Sequence, residues 1–203
     1  MERERMPTSD QDSRIQNQKS ICVFCSSRSK IDPGFTPVAR ELGSIIAERG
    51  HELVYGGTDI GLMGKLAESA RQRGGRVIGV IPQSMVDHGI ADMACDELIV
   101  TDDMRTRKTL MDERADAFVA LPGGFGTLEE LAEVLVLRQL DIIDKPIALI
   151  NSGGFYDSLL KFFDELFESK FARQRHRETY FAAESPLAAI ETIEREWGLG
   201  SRF

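Results

Sequence analysis

Ala117-Phe118-Val119-Ala120-Leu121-Pro122-Gly123-Gly124-Phe125-Gly126-Thr127-Leu128-Glu129-Glu130 decides the fold. The first four residues are an apolar run of strand length, and apolar residues at helical spacing follow Thr127. The glycines therefore sit on a strand-to-helix turn. A helix N-terminus presents free N–H groups, and its dipole favours an anion there. Gly123, Gly124 and Gly126 let a ligand approach the backbone closely, and Thr127 adds a hydroxyl. Glu130 places a carboxylate one turn further in. One reading is a phosphate cradle with a carboxylate beside it. The other is a capping box, because Thr127-Leu128-Glu129-Glu130 fits S/T-x-x-E before an apolar run and needs no ligand. The capping box leaves the glycines and Pro122 unexplained.

The same strand-helix alternation extends on both sides. Ser20 to Cys25, His51 to Tyr55, Arg76 to Ile81, Asp96 to Val100 and Pro146 to Ile150 read as further strands. Between them, Phe35, Val38, Ala39, Leu42, Ile45 and Ile46 predict a helix from about Pro33 to Arg49, closed by Gly50. Other helices are expected from about Gly61 to Arg73, after Thr101 or Asp102 as cap, from about Phe155, and from Ser185 to about Trp197. Residues 83–95 show little pattern, and the charged segment Ser169 to Glu178 reads as a mobile flap. Residues 1–18 are polar without periodicity and read as a disordered tail, leaving 19–203 as one nucleotide-binding domain. The fold class is α/β: a doubly wound, Rossmann-like, mostly parallel sheet with helices on both faces.

Ligands of such sheets sit at the C-terminal ends of strands. The polar loop Ser26-Ser27-Arg28-Ser29 falls there, as does a second glycine-rich turn, Gly56 to Gly64. That turn is not a P-loop, since Asp59 stands where the first glycine belongs and Leu66 follows Lys65. It is not a dinucleotide fingerprint either, because the spacing is wrong and no acidic residue closes the next strand. Close helix–strand packing remains an alternative account of its glycines. On the helix after Asp102, Met104, Arg107, Lys108 and Met111 share one face. Either two cations snorkel at the core edge, or they point into a pocket. The neighbouring cradle favours the pocket, since arginine suits bidentate phosphate contact. After the cradle, Leu128, Leu131, Ala132 and Leu135 form one stripe, which Val134, Val136, Leu137 and Leu140 widen. So broad an apolar arc is buried on more than one side, which predicts a two-fold dimer.

The chain of 203 residues is 42% hydrophobic with a net charge of −8, so it holds a substantial core and lacks the basic footprint of a nucleic-acid polymer binder. No apolar run approaches membrane-spanning length, and no signal-peptide core is seen, so a cytoplasmic protein without membrane contact is expected. Cys22-Val23-Phe24-Cys25 fits C-x-x-C, but on a strand residues three apart face opposite ways. No second pair completes a metal site, and His51, His88 and His176 form no metal motif.

Pro122-Gly123-Gly124-Phe125-Gly126-Thr127-Leu128-Glu129-Glu130 resembles the P-G-G-x-G-T-x-x-E signature of the LOG ("lonely guy") family of cytokinin riboside 5′-monophosphate phosphoribohydrolases. Many such sequences are labelled lysine decarboxylases. The resemblance extends in order to the Val23-Phe24-Cys25 strand with its serine loop, to Tyr55-Gly56-Gly57 with Gly61-Leu62-Met63-Gly64, and to Met104-x-x-Arg107-Lys108. It covers roughly residues 20 to 195. Ser26 stands where the family commonly has Gly, and Arg105 where it commonly has His.

The resemblance implies hydrolysis of the N-glycosidic bond of a purine-type nucleoside 5′-monophosphate, yielding free base and ribose 5-phosphate without metal or cofactor. It implies Arg107 and Glu130 as the catalytic pair. Gly123, Gly124, Gly126, Thr127 and Lys108 would bind phosphate or ribose, and Ser26, Gly57, Gly61 and Met104 would line the base and ribose pocket. A non-catalytic nucleotide or molybdenum-cofactor carrier is the rival, since carriers of that kind resemble this fold. A carboxylate beside the anion site favours the enzyme. Lysine decarboxylation would need a Schiff-base lysine, and only Lys65 and Lys108 lie near the expected loops.

Overall fold

The structure is a computed structural model that describes residues 18–199, so most of the expected tail lies outside the described residues. Seven parallel strands form one sheet: β1 (Ser20–Phe24), β2 (Glu52–Tyr55), β3 (Val77–Pro82), β4 (Glu97–Thr101), β5 (Ala117–Ala120), β6 (Ile147–Ile150) and β7 (Phe181–Ala183). Their spatial order is β4-β3-β2-β1-β5-β6-β7. The chain thus winds outward from β1 in one direction, returns, and winds outward from β5 in the other. β1 and β5 are parallel neighbours, with Val23 opposite Val119 and Phe24 opposite Ala120. The loops that leave their C-terminal ends diverge to opposite sides of the sheet and open a crevice between them.

The helices are α1 (Phe35–Glu48), α2 (Gly61–Gln72), α3 (Gln83–Asp87), α4 (Met104–Arg114), α5 (Phe125–Gln139), α6 (Asp157–Glu168) and α7 (Pro186–Glu196). Alternate residues of β1, and Cys25 just beyond it, divide between two cores. Ile21, Val23 and Cys25 pack with α1, α2 and α7, whereas Cys22 and Phe24 pack with Met111 of α4 and Leu131 and Val134 of α5. The C-x-x-C pair is therefore split across the sheet, and burial pushes both thiols up. Strands buried on both faces explain why they read as continuous apolar runs rather than as alternation. α1 crosses α2 so closely that a Cβ on Gly43 would collide with the Leu66 carbonyl.

Several local expectations need correction. α1 starts at Phe35, because the Asp32 carboxylate accepts from the Gly34 N–H at 2.8 Å and holds Pro33-Gly34 in a turn. Residues 83–95 include the short helix α3. The segment expected as a flap carries a 3₁₀ helix, Gln174–Thr179, with Arg177 paired to Asp164 and lying over the Phe167 ring. β7 follows it and was not signalled, since three residues show no period.

Candidate active site

α4 begins at Met104 because Asp103, rather than Thr101 or Asp102, caps it, accepting from the N–H groups of Arg105 at 2.7 Å and Thr106 at 2.8 Å. This places Arg107 one turn in and facing the sheet, with only 4% of its side chain exposed. Its Nε donates to the Val80 carbonyl at 2.9 Å and its Nη1 to Glu130 Oε1 at 2.8 Å. Its Nη2 lies over Gly56, where any Cβ would collide with it. Gly56 is therefore glycine because the guanidinium needs the space, a role the sequence marked only by the Gly56-Gly57 pair. Val80 contributes through its backbone, which leaves no signal in sequence.

Glu130 is 6% exposed. Burial pushes its carboxyl up, and Arg107 opposes this without cancelling it. A buried pair of this kind is costly to break from one side, about 3–5 kcal/mol. A crevice of about 200 Å³ between α4 and α5 reaches Glu130 past Lys108 and Glu133.

The cradle reading and the capping-box reading separate at the start of α5. Gly124 is the N-cap and no side chain caps the helix. Thr127 lies inside the first turn, so Thr127 and Glu130 form no capping box. Gly124, Phe125 and Gly126 are exposed, and Thr127 is buried. A Cβ on Gly123 would strike the Thr127 side chain, whereas Gly124 and Gly126 face open space. Uncapped first-turn N–H groups beside open space suit an anion. The Tyr156 hydroxyl donates to the Leu121 carbonyl at 2.6 Å and steadies the turn where it leaves β5.

The second glycine turn is different. The Ser26 carbonyl accepts from the N–H groups of Leu62 at 2.9 Å and Met63 at 3.3 Å, so the loop after β1 closes the N-terminus of α2. Gly61, at φ +63°, packs against the backbone of Ser27 and Arg28, and a Cβ on Gly64 would strike the Asp59 carbonyl. Gly57 is buried against Val80 and Ile81. Close packing thus accounts for these glycines. Ser26 is buried and its Oγ accepts from the Arg28 N–H at 3.1 Å.

The structure brings Arg107, Glu130 and Gly56 together and sets the cradle on the helix that carries Glu130. It separates Lys108 from Arg107. Lys108 Nζ binds Glu129 and, at 2.9 Å, Glu133, and these bonds push its ammonium up. Met104, at the first position of α4, is exposed. Among the described residues no cluster of His, Cys, Asp and Glu suits a metal ion.

A family model described as "Possible lysine decarboxylase" matches residues 63–193. Cytokinin riboside 5′-monophosphate phosphoribohydrolase LOG5 of Arabidopsis thaliana is 39% identical over 176 residues, 87% of this chain and 77% of that protein. LOG1 of the same plant is 42% identical, covering 87% of this chain and 83% of that protein. Among solved structures, the molybdenum cofactor binding protein of Rippkaea orientalis superposes with a TM-score of 0.68 at 26% identity, over 88% of this chain and 97% of that one. The Moco carrier protein of Chlamydomonas reinhardtii has a TM-score of 0.68 at 24% identity, over 90% of this chain and 99% of that one, a likeness of fold alone.

Proposed function

Because this chain belongs to the LOG family of phosphoribohydrolases, we propose that it cleaves the N-glycosidic bond of a purine-type ribonucleoside 5′-monophosphate, of the cytokinin or adenosine kind, releasing free base and ribose 5-phosphate. The observation that carries this reading is the buried Arg107–Glu130 pair beside an uncapped, glycine-lined helix N-terminus. Cleavage of the bond develops positive charge on the ribose, which a nearby carboxylate stabilises. Glu130 has that role and positions the attacking water, and its raised pKa suits it to take the water's proton. The N–H groups at Gly124, Phe125, Gly126 and Thr127 hold the 5′-phosphate, with Gly123 keeping Thr127 in place. Arg107 fixes Glu130 through Nη1 and offers Nη2 to phosphate or ribose oxygens. Ser26 and Met104 are assigned to the base and ribose end of the pocket, and Gly57 and Gly61 serve it only by shaping the packed turn behind it. Lys108, held by Glu129 and Glu133, acts on the anion at longer range.

Decarboxylation through pyridoxal phosphate does not fit these residues. A Schiff base needs a neutral amine, and Lys108 is doubly ion-paired while Lys65 is half exposed and paired with Glu68. We further read the protein as a cytoplasmic homodimer. The free cysteines suit a reducing compartment, and no described helix is long and apolar enough to cross a membrane.

The test is incubation with AMP and with an N6-substituted AMP, using the nucleosides as controls. Base release from the monophosphates alone is expected. Tight nucleotide binding without release would favour the carrier. Arg107→Ala and Glu130→Gln should each lower kcat by about 10²–10⁴-fold. Arg107→Ala should also lose about 3–5 kcal/mol of stability because it leaves Glu130 buried without its partner, so each assay is run on protein shown folded by circular dichroism. Near-normal activity in either would remove the assigned role.

A further inference from the structure

Asp92 is assigned no part in the proposed reaction and meets the site only through the Gly57 backbone, yet it is 97% buried, with only 3% of its surface exposed. Its Oδ2 accepts from the Tyr55 hydroxyl at 2.8 Å and from Arg71 Nη1 at 2.7 Å. Its Oδ1 accepts from the Ala94 N–H at 3.0 Å, and its own N–H donates to the Gly57 carbonyl at 2.8 Å. Burial alone would raise this carboxyl, but the bonds from Arg71, Tyr55 and Ala94 outweigh it and hold the group below its ordinary value.

These bonds converge on one turn. Tyr55 ends β2, and Gly56 and Gly57 follow it directly, so Asp92 grips the turn through the side chain on one side and the backbone on the other. The neighbouring residues repeat the grip, with the Asp59 N–H donating to the Ile90 carbonyl at 3.3 Å and Thr58 bridging Ala91 antiparallel. Between the two held points sits Gly56, the residue over which the Arg107 guanidinium lies. Gly57 packs against Val80, whose carbonyl accepts from Arg107 Nε. The turn, Val80 and Arg107 therefore form one stack, and the Asp92 network is its outer clamp. An apolar cluster of the same volume would bury the end of β2 as well. A carboxylate with several directed bonds additionally fixes the turn's geometry.

We propose that Asp92, with Tyr55 and Arg71, is a positioning network for Arg107, acting through the Gly56–Gly57 turn. Its catalytic consequence rests on the phosphoribohydrolase reading; its structural consequence does not. The variants are Asp92→Asn and Tyr55→Phe, alone and combined. Tyr55→Phe keeps the ring and deletes only the hydroxyl, so it remains informative if Asp92→Asn fails to fold. The first readout is the Arg107 Nε–H resonance by NMR, together with amide exchange of residues 56–64 by mass spectrometry. The Nε–H signal should shift and the segment should exchange faster, with β1 and β5 unchanged. The second readout is kinetics. A guanidinium displaced by a fraction of an ångström should cost kcat about 10- to 100-fold with KM little altered, and the double variant should lose no more than the stronger single one. An unmoved Arg107 resonance overturns the proposal whatever the enzyme's activity. A moved resonance with unchanged kcat overturns the catalytic part. Absence of turnover in the unmodified protein would count against the proposed function and leave the first readout decisive for the network.

Discussion

Glu130 and Arg107 face each other at 2.8 Å, and the carboxyl is nonetheless pushed above its ordinary value because burial outweighs its partner. If Glu130 works ionised, the acid limb of kcat/KM should fall above the usual glutamate pKa of about 4.3. The sign follows from the role: activity is present above the raised pKa and is lost as pH falls through it. Lys108 pulls the same carboxyl down from a distance. Lys108→Met should therefore move the acid limb to higher pH, and a pH–rate profile that stays in place would separate Lys108 from Glu130. Sequence placed Arg107 and Lys108 together as two cations on one face. Their adjacency was legible, but which would be buried depended on carboxylates of α5 more than twenty positions away.

Glycines with one spelling do different work in different elements. Gly43 lets α1 approach α2, and a Cβ there would meet the Leu66 carbonyl. Gly43→Ala should destabilise by about 1–3 kcal/mol through overpacking, read as a lower urea midpoint. Gly124 caps α5 with extended backbone and open space around it. Gly124→Ala should change stability by about 0.5 kcal/mol or less while weakening nucleotide binding, measured by calorimetry on the same preparation. Asp103 caps α4 with two bonds, so Asp103→Ala should cost about 1 kcal/mol in the same denaturation assay. Glu130→Ala removes no cap, because Thr127 stands inside α5 rather than before it. The motif that reads as a capping box starts three residues too late to be one, and only the observed start of the helix shows this.

At the scale of the molecule, the outer side of α5 and the turn after it remain open. Val136 is 49% exposed, Leu140 59% and Ile142 63%, in agreement with the apolar arc wider than one packing face. A specific dimer needs about 1,200–2,000 Å² of total buried surface, which two copies of such a face joined by flanking contacts can supply. Light scattering should give the mass of two chains, and Val136→Asp with Leu140→Asp should give one. A single-chain mass for the unaltered protein would remove the dimer.

What the sequence determined by itself is local. Unbroken apolar runs specified strands buried on both faces, 3.6-residue periodicity specified the helices between them, and the glycine turn with its carboxylate marked the site. Each of these signals spans at most about fifteen residues, within reach of one element. The tertiary structure alone decided the strand order that sets the loops after β1 and β5 beside one crevice. It decided which of two glycine turns keeps its helix N-terminus uncapped, since the Ser26 carbonyl closes α2 and no side chain caps α5. It also joined Arg107 to Glu130 and Tyr55 to Asp92. The physical reason is the same in each case: a hydrogen bond between residues tens of positions apart forms only once packing has brought their elements together, and no local period encodes it.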